Sequence, residues 1–198
     1  MPFNTQSLIL ASTSMARQTM MKSAGLVFEV KKPAVDEKAL QEQFAHLTPS
    51  ELAMQLARAK ARSIHADEAY VIGSDQTLEF ETCVFHKARN LSEAISNLRR
   101  LSGHTHKLHS AVVVVKNGAV QFSHTATAIM TMRLLDEAFL QSYAEREQEA
   151  LLNSVGGYYY EAAGRKLFED VTGDINIIMG MPLLPLLAFL RKKAIVTS

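Results

Sequence analysis

Residues 8–26, LILASTSMARQTMMKSAGL, carry a short apolar run straight into Ser12, Thr13 and Ser14, with Arg17 three residues further on. Where a buried strand opens into a helix, the first N–H groups of the helix are free and its dipole favours an anion. Three hydroxyls can add donors there, and Arg17 can reach back from the first turn. The pattern is that of a phosphate cradle without the Walker glycines. A plainer reading exists: Ser and Thr are the preferred N-caps, and Arg17 is then an exposed helix residue. Taken alone, the plainer reading is the stronger.

Further along, VIGSDQT (71–77) places Asp75 at the end of an apolar strand, where a carboxylate can border a cleft at the sheet edge or simply cap the next turn. Asp36 and Glu37 stand at a strand-to-helix step. With Asp75 they could supply the oxygen ligands that a hard divalent cation requires; as a pair alone they read as charges matching a helix N-terminus. Lys60, late in a helix, and Lys87, after VFH, read first as surface lysines. His86, His104, His106 and His109 look like a metal set but lack the accompanying cysteine or carboxylate pattern of zinc sites, so they are read as polar strand-end and hairpin residues. Tyr158, Tyr159 and Tyr160 can stack on a base, though aromatic strand residues usually pack. Cys83 has no nucleophile signature around it and is taken as structural.

These residues must be positioned by an ordinary globular chain. It has 198 residues, 47% hydrophobic and 21% charged, a length suited to one domain over 1–198. Twenty-one basic and 20 acidic residues leave a net charge of +1. No general field favours nucleic acid or membrane, so neither is expected as a partner and any anion site must be local. A single cysteine rules out an internal disulfide framework, and a reducing cytoplasmic setting is expected. The start shows no signal-peptide pattern. The most apolar stretch, 175–190, is shorter than a membrane span and is broken by Gly180, Pro182 and Pro185. It is expected to form a buried strand, a turn and a buried helix.

The periodicity predicts a strand over 7–11, a helix from about Ser14 to Ala24, and an alternating strand over 27–32. TPSE (48–51) is a capping box opening a helix to about Ile64, with Leu52, Leu56, Ala59 and Ser63 on one side. A second buried strand covers 69–75. NLSE (90–93) repeats the capping logic for a helix ending near Leu101. Strands at 107–115 and 119–132 flank Asn117-Gly118, a strong hairpin signal. A helix over 136–147 turns Phe139, Leu140 and Tyr143 inward. Early strand–helix alternation plus a long hairpin implies an α/β fold with a mixed sheet.

The order of the pieces discriminates better than any one of them. LILASTS with Arg17, VDE (35–37), AKA (59–61), VIGSDQ (71–76), HKA (86–88), LSGHTH (101–106), GYYYEAAG (157–164) and GMPL (180–183) together resemble the Maf family of nucleotide pyrophosphatases, from Leu8 to about Arg191. The resemblance implies an elongated mixed sheet flanked by helices, with two lobes around a deep cleft, as in ITPase-like folds. It implies hydrolysis of a nucleoside triphosphate to the monophosphate and pyrophosphate with Mg²⁺ or Mn²⁺. It assigns Glu37 and Asp75 to the metal, Asp75 as general base, Ser12 and Arg17 to the phosphates, and Lys60 and Lys87 to charge developing on the leaving group. A homodimer is expected by analogy, and the family has a link to septum formation.

The sequence departs from the common pattern where proline and arginine usually precede the residue matching Arg17: Met15 and Ala16 stand there. Gln76 follows Asp75 where threonine is common, and Glu161 stands at a position often occupied by glutamine. Ala16, Gln76 and Glu161 together resemble the subgroup acting on 7-methyl-GTP rather than that acting on dTTP and UTP. N7-methylated guanine is cationic, so the carboxylate of Glu161 suits it and a missing arginine removes a repulsion. The competing readings are a dTTP/UTP pyrophosphatase and a nucleotide-binding regulator of cell division with little turnover.

Overall fold

The computed structural model describes residues 4–196. The chain order is β1 (Leu8–Ala11), α1 (Met15–Ser23), β2 (Glu29–Val30), α2 (Glu37–Gln43), α3 (Pro49–Arg62), β3 (Tyr70–Phe80), β4 (Cys83–Phe85), α4 (Leu91–Leu101), β5 (Thr105–Lys116), β6 (Ala119–Met132), α5 (Glu137–Arg146), α6 (Gln148–Asn153), a 3₁₀ turn (Ala163–Leu167), β7 (Phe168–Thr172), α7 (Ile175–Ile178) and α8 (Leu183–Lys192). The seven strands form one mixed sheet in the order β2-β1-β3-β5-β6-β7, with β4 paired to β3 beside that path. β2, β1 and β3 run parallel, and the remaining pairs are antiparallel.

Local chemistry sets these elements. Thr48 and Glu51 close a reciprocal capping box at the start of α3, with Pro49 in the first turn. Asn117 and Gly118, both at positive φ, turn β5 into β6 as a tight hairpin. Asn90 caps α4, but the Glu93 carboxylate bonds the Arg89 N–H instead of completing a box.

Two apolar clusters pack along the sheet. One gathers Leu78, Leu98, Leu108 and Met130 with α4 and α5; the other gathers Leu10, Met21, Ile72 and Val114 with α1 and α8. A third lies under α3. There the buried stripe is Ala53, Ala57 and Ala61 rather than Ala59 and Ser63, and it meets Ala111, Val113 and Val115. Small residues bring the α3 backbone onto the sheet, and Gly73 of β3 completes the contact. A Cβ there would stand 2.3 Å from the Ala57 oxygen and 2.5 Å from the Ala61 nitrogen.

Several segments differ from expectation. The strand expected over 27–32 pairs with β1 at Glu29 and Val30 alone, with one further bond from the Lys31 N–H to the Leu10 carbonyl. The first part of 175–190 is the four-residue helix α7, capped by the Asp174 side chain, not a strand. Its apolar pattern is equally suited to a buried helical turn. The tyrosine run lies in an irregular segment before the 3₁₀ turn. Cys83 is exposed on β4 rather than packed. No helix among the described residues is long and apolar enough to cross a membrane.

Candidate active site

β1 bonds residues 70–73 of β3, and β4 bonds residues 78–80. Residues 74–77 are therefore held on one side by β5, and their other edge is bare of strand pairing. A cavity of about 1040 Å³ opens at this gap, at the upper end of the range of small-molecule sites. Successive side chains of a strand point to opposite faces. The gap explains why both Asp75 and Gln76 border the same space.

Asp75 points to the α3 face, where Lys60 meets it. Lys60 is 6% exposed, and its ammonium lies 2.5 Å from Asp75 Oδ1 and 2.9 Å from Glu37 Oε1. The expectation of a surface lysine is thus corrected: the helical spacing of Ala53, Ala57 and Lys60 turns its stem inward. Burial pushes the Asp75 carboxyl above the usual carboxylate range, against the opposing pull of Lys60 and Arg17. Glu37, in the first turn of α2, keeps a half-exposed side chain. Asp36 caps α2 through the Ala39 N–H and does not line the cavity. Two carboxylates thus converge on one cationic point. Among the described residues no third His, Cys, Asp or Glu joins them. Mg²⁺ is a hard cation commonly bound by one or two carboxylates together with the phosphates of a ligand, and these two carboxylates could hold Mg²⁺ or Mn²⁺ in that way.

At the start of α1 the hydroxyls divide their work. Ser14 is the N-cap, accepting from the Arg17 N–H. Ser12, 4% exposed, accepts from the Ser14 N–H and from Arg17 Nη1 at 3.3 Å. Arg17 is not an exposed helix residue. Its Nε donates to the Gly180 carbonyl at 2.9 Å, and desolvation lowers its pKa while Asp75 and Glu37 raise it. The first turn of α1, Ser12 and Arg17 all line the cavity. Lys87 lines it too, exposed on the segment after β4 and without an ion pair among the described residues.

The cavity also takes in Ala16 and the exposed Glu161, beside Tyr159, Tyr160 and Glu149. Gln76 borders it, but its amide nitrogen bonds Ser110 Oγ and the carbonyls of Ile177 and Ile178, at 2.9–3.0 Å. Tyr158 is buried against Phe168, with its hydroxyl 2.6 Å from His106 Nε2. His109 bridges Thr127 and Glu79, and His104 bonds the Ser102 carbonyl. His106 and His109 are polar links inside the sheet, His104 is exposed just before β5, and burial lowers the His106 pKa to about 4. Sequence reasoning missed Ser74 and Ser110. Their signal was a hydroxyl at the edge of an apolar run, VIG before Ser74 and AVVVV after Ser110, and both grip the carbonyls of the segment after β7.

The Maf-like protein family model matches residues 7–193. A Rhizobium meliloti protein named 7-methyl-GTP pyrophosphatase is 43% identical over 189 residues, covering 93% of this chain and 95% of that one. A Rhodopseudomonas palustris protein named nucleoside triphosphate pyrophosphatase is 41% identical over 191 residues, covering 96% and 95%. Among solved structures, the Staphylococcus aureus Ham1 protein aligns with a TM-score of 0.46 at 13% identity, over 95% of this chain and 100% of that one. By the extent of the family match and the identity to these relatives, the chain belongs to the Maf-like protein family.

Proposed function

We propose that the chain, as one domain over 1–198, hydrolyses a nucleoside triphosphate to the monophosphate and pyrophosphate, with 7-methyl-GTP preferred. The observation that carries the reading is the buried Lys60 held between Asp75 and Glu37 in the same cavity as Ser12 and Arg17. The names of the relatives agree with it.

In this reading the start of α1, Ser12 and Arg17 hold the triphosphate, and a water attacks the α-phosphorus. Asp75 takes the water proton as the new P–O bond forms and the bond to the bridging oxygen breaks, releasing pyrophosphate. Burial favours the protonated form of Asp75, so a carboxylate ionised in the resting site is a better base than an exposed one. Lys60 keeps Asp75 oriented and, with Lys87, meets charge developing on the leaving group. Glu37 and Asp75 are the residues that would hold Mg²⁺ or Mn²⁺, which when bound neutralises phosphate oxygens. Glu161 suits the cationic base of 7-methyl-GTP, and Ala16 leaves no cation to repel it.

The test is pyrophosphate release with Mg²⁺ from 7-methyl-GTP, GTP, dTTP and UTP, with Asp75→Asn as control. The expected result is highest turnover of 7-methyl-GTP, falling by about 10²–10⁴-fold in Asp75→Asn. Preference for dTTP or UTP would sink the base assignment alone. Binding of the nucleotides without turnover would instead favour a regulator.

A further inference from the structure

We infer that His106 is a positioning residue for the wall of the cavity that carries Tyr159, Tyr160 and Glu161, acting through the hydroxyl of Tyr158, and that this wall selects the base. The inference rests on reading the cavity as the triphosphate site. The wall belongs to residues 154–162, which form neither helix nor strand. With no ladder of backbone bonds, such a segment is placed by its anchors. The Gly157 carbonyl accepts from the Tyr143 hydroxyl at 3.2 Å, and the Tyr160 carbonyl from Arg165 Nε at 3.0 Å. Between these two points the Tyr158 side chain turns inward and is 6% exposed, while Tyr159 and Tyr160 are half-buried and Glu161 is exposed. The chain closes tightly around the Tyr158 side chain. A Cβ on Gly156 would stand 2.3 Å from its Cε1, and one on Gly164 would stand 3.0 Å from its Cβ.

The Tyr158 hydroxyl meets His106 Nε2 at 2.6 Å. His106 lies on β5 directly opposite Met130 and is 1% exposed. Its Nδ1 is buried and has no partner among the described residues, so Tyr158 is the imidazole's polar contact there. An apolar side chain would fill this place without stranding a nitrogen, so burial alone does not account for a histidine. What the imidazole adds is a fixed point for Tyr158. Phe168 packs against all three rings, with centroids 5.9 Å from His106, 4.8 Å from Tyr158 and 5.8 Å from Tyr160. A shift of Tyr158 therefore passes to Tyr160 through close packing, and along the chain to Tyr159 and Glu161. The phosphate end is anchored separately: Arg17 bonds Ser12 and the Gly180 carbonyl, and Lys60 meets Asp75 and Glu37. His106 thus acts on the base-facing wall and leaves the phosphate end in place.

The experiment compares wild type, Tyr158→Phe and the double variant His106→Leu with Tyr158→Phe. The single variant keeps the ring and removes its hydroxyl. The double variant also removes the stranded imidazole, so its melting temperature should stay within about 4 °C of wild type. kcat/KM is measured on 7-methyl-GTP, GTP, dTTP and UTP, and calorimetry gives the affinity for tripolyphosphate, which has no base. In both variants the kcat/KM ratio between the best and the worst substrate is expected to fall about 5–30-fold, with tripolyphosphate affinity within about twofold of wild type. Either variant decides alone if the other does not fold. A ratio kept in a folded variant, or a loss shared equally by the four substrates and tripolyphosphate, would overturn the inference, because a merely structural pair lowers everything together. If wild type prefers dTTP or UTP, the 7-methyl-GTP assignment fails by itself and the same ratio still tests the inference. If wild type releases pyrophosphate from none of the four, the pyrophosphatase reading fails separately and calorimetric affinities for the four nucleotides replace kcat/KM. Selectivity among them that is lost in the variants then supports the inference, while selectivity kept, or none in wild type, overturns it.

Discussion

Gly73→Ala tests how the fold delivers Lys60 to Asp75. The added methyl would stand 2.3 Å from the Ala57 oxygen, 2.5 Å from the Ala61 nitrogen and 2.8 Å from the Ala61 Cβ. None of these belongs to a flexible side chain that can swing aside. α3 must therefore retreat from β3 by about 1 Å before the contact becomes ordinary. Overpacking of this kind costs about 1–3 kcal/mol, and rigid backbone on both sides places the cost near about 3 kcal/mol. For a chain of this size each kcal/mol lowers the melting temperature by about 2–4 °C, so a fall of about 6–12 °C is expected. Lys60 rides on the same helix face, one residue from Ala61. A displacement of about 1 Å at a positioned group lowers turnover by up to about 10²-fold. Calorimetry and pyrophosphate release on the same preparation read both effects. Gly118→Ala is the control: nothing lies within 4 Å of its Cβ, so only the positive φ is strained. It should cost about 1–2 kcal/mol and leave turnover unchanged. Melting of Gly73→Ala within about 2 °C of wild type, with kcat/KM kept within twofold, would refute the close seating of α3.

Two further outcomes are expected. The buried His106 is neutral in the folded protein down to about pH 4, whereas the unfolded chain takes up its proton near 6.5. Stability from this group is fully present above pH 6.5 and lost as pH falls toward 4, by about 3 kcal/mol in all; denaturant midpoints from pH 7 to 4 should show it, and a pH slope unchanged in His106→Gln would contradict it. Thr48→Ala breaks the capping box of α3 and should cost about 1 kcal/mol, read as a fall of about 2–4 °C in melting temperature.

Much of the site was legible in the sequence because its residues sit at element boundaries with strong local signals. The hydroxyls at 12–14 mark the start of α1, the capping box marks α3, and Asn117-Gly118 fixes the β5–β6 hairpin. Each depends on neighbours within a few residues. The order of these pieces along the chain carried the family resemblance, and the family match bears it out.

What only tertiary structure decided involves partners far apart in sequence. Lys60 reads locally as one more charge on a helix; it becomes a buried ammonium because Gly73 and an alanine stripe seat α3 on the sheet. Asp75 and Gln76 are adjacent in sequence, yet the pleat sends one to α3 and the other to α7. That both border one cavity follows from where β1 stops and β4 begins, a gap no local pattern announces. The segment at 175–178 shows the same limit. Its apolar run suits strand or helix, and the Asp174 cap together with the grip of Gln76 and Ser110 on its carbonyls accompanies the helical turn. Sequence by itself determined which residues carry charge and hydrogen-bonding capacity, and where local elements start and stop. The packing of the sheet determined which of those charges are dry, which are paired and which face the cavity, because burial and pairing depend on contacts between distant segments.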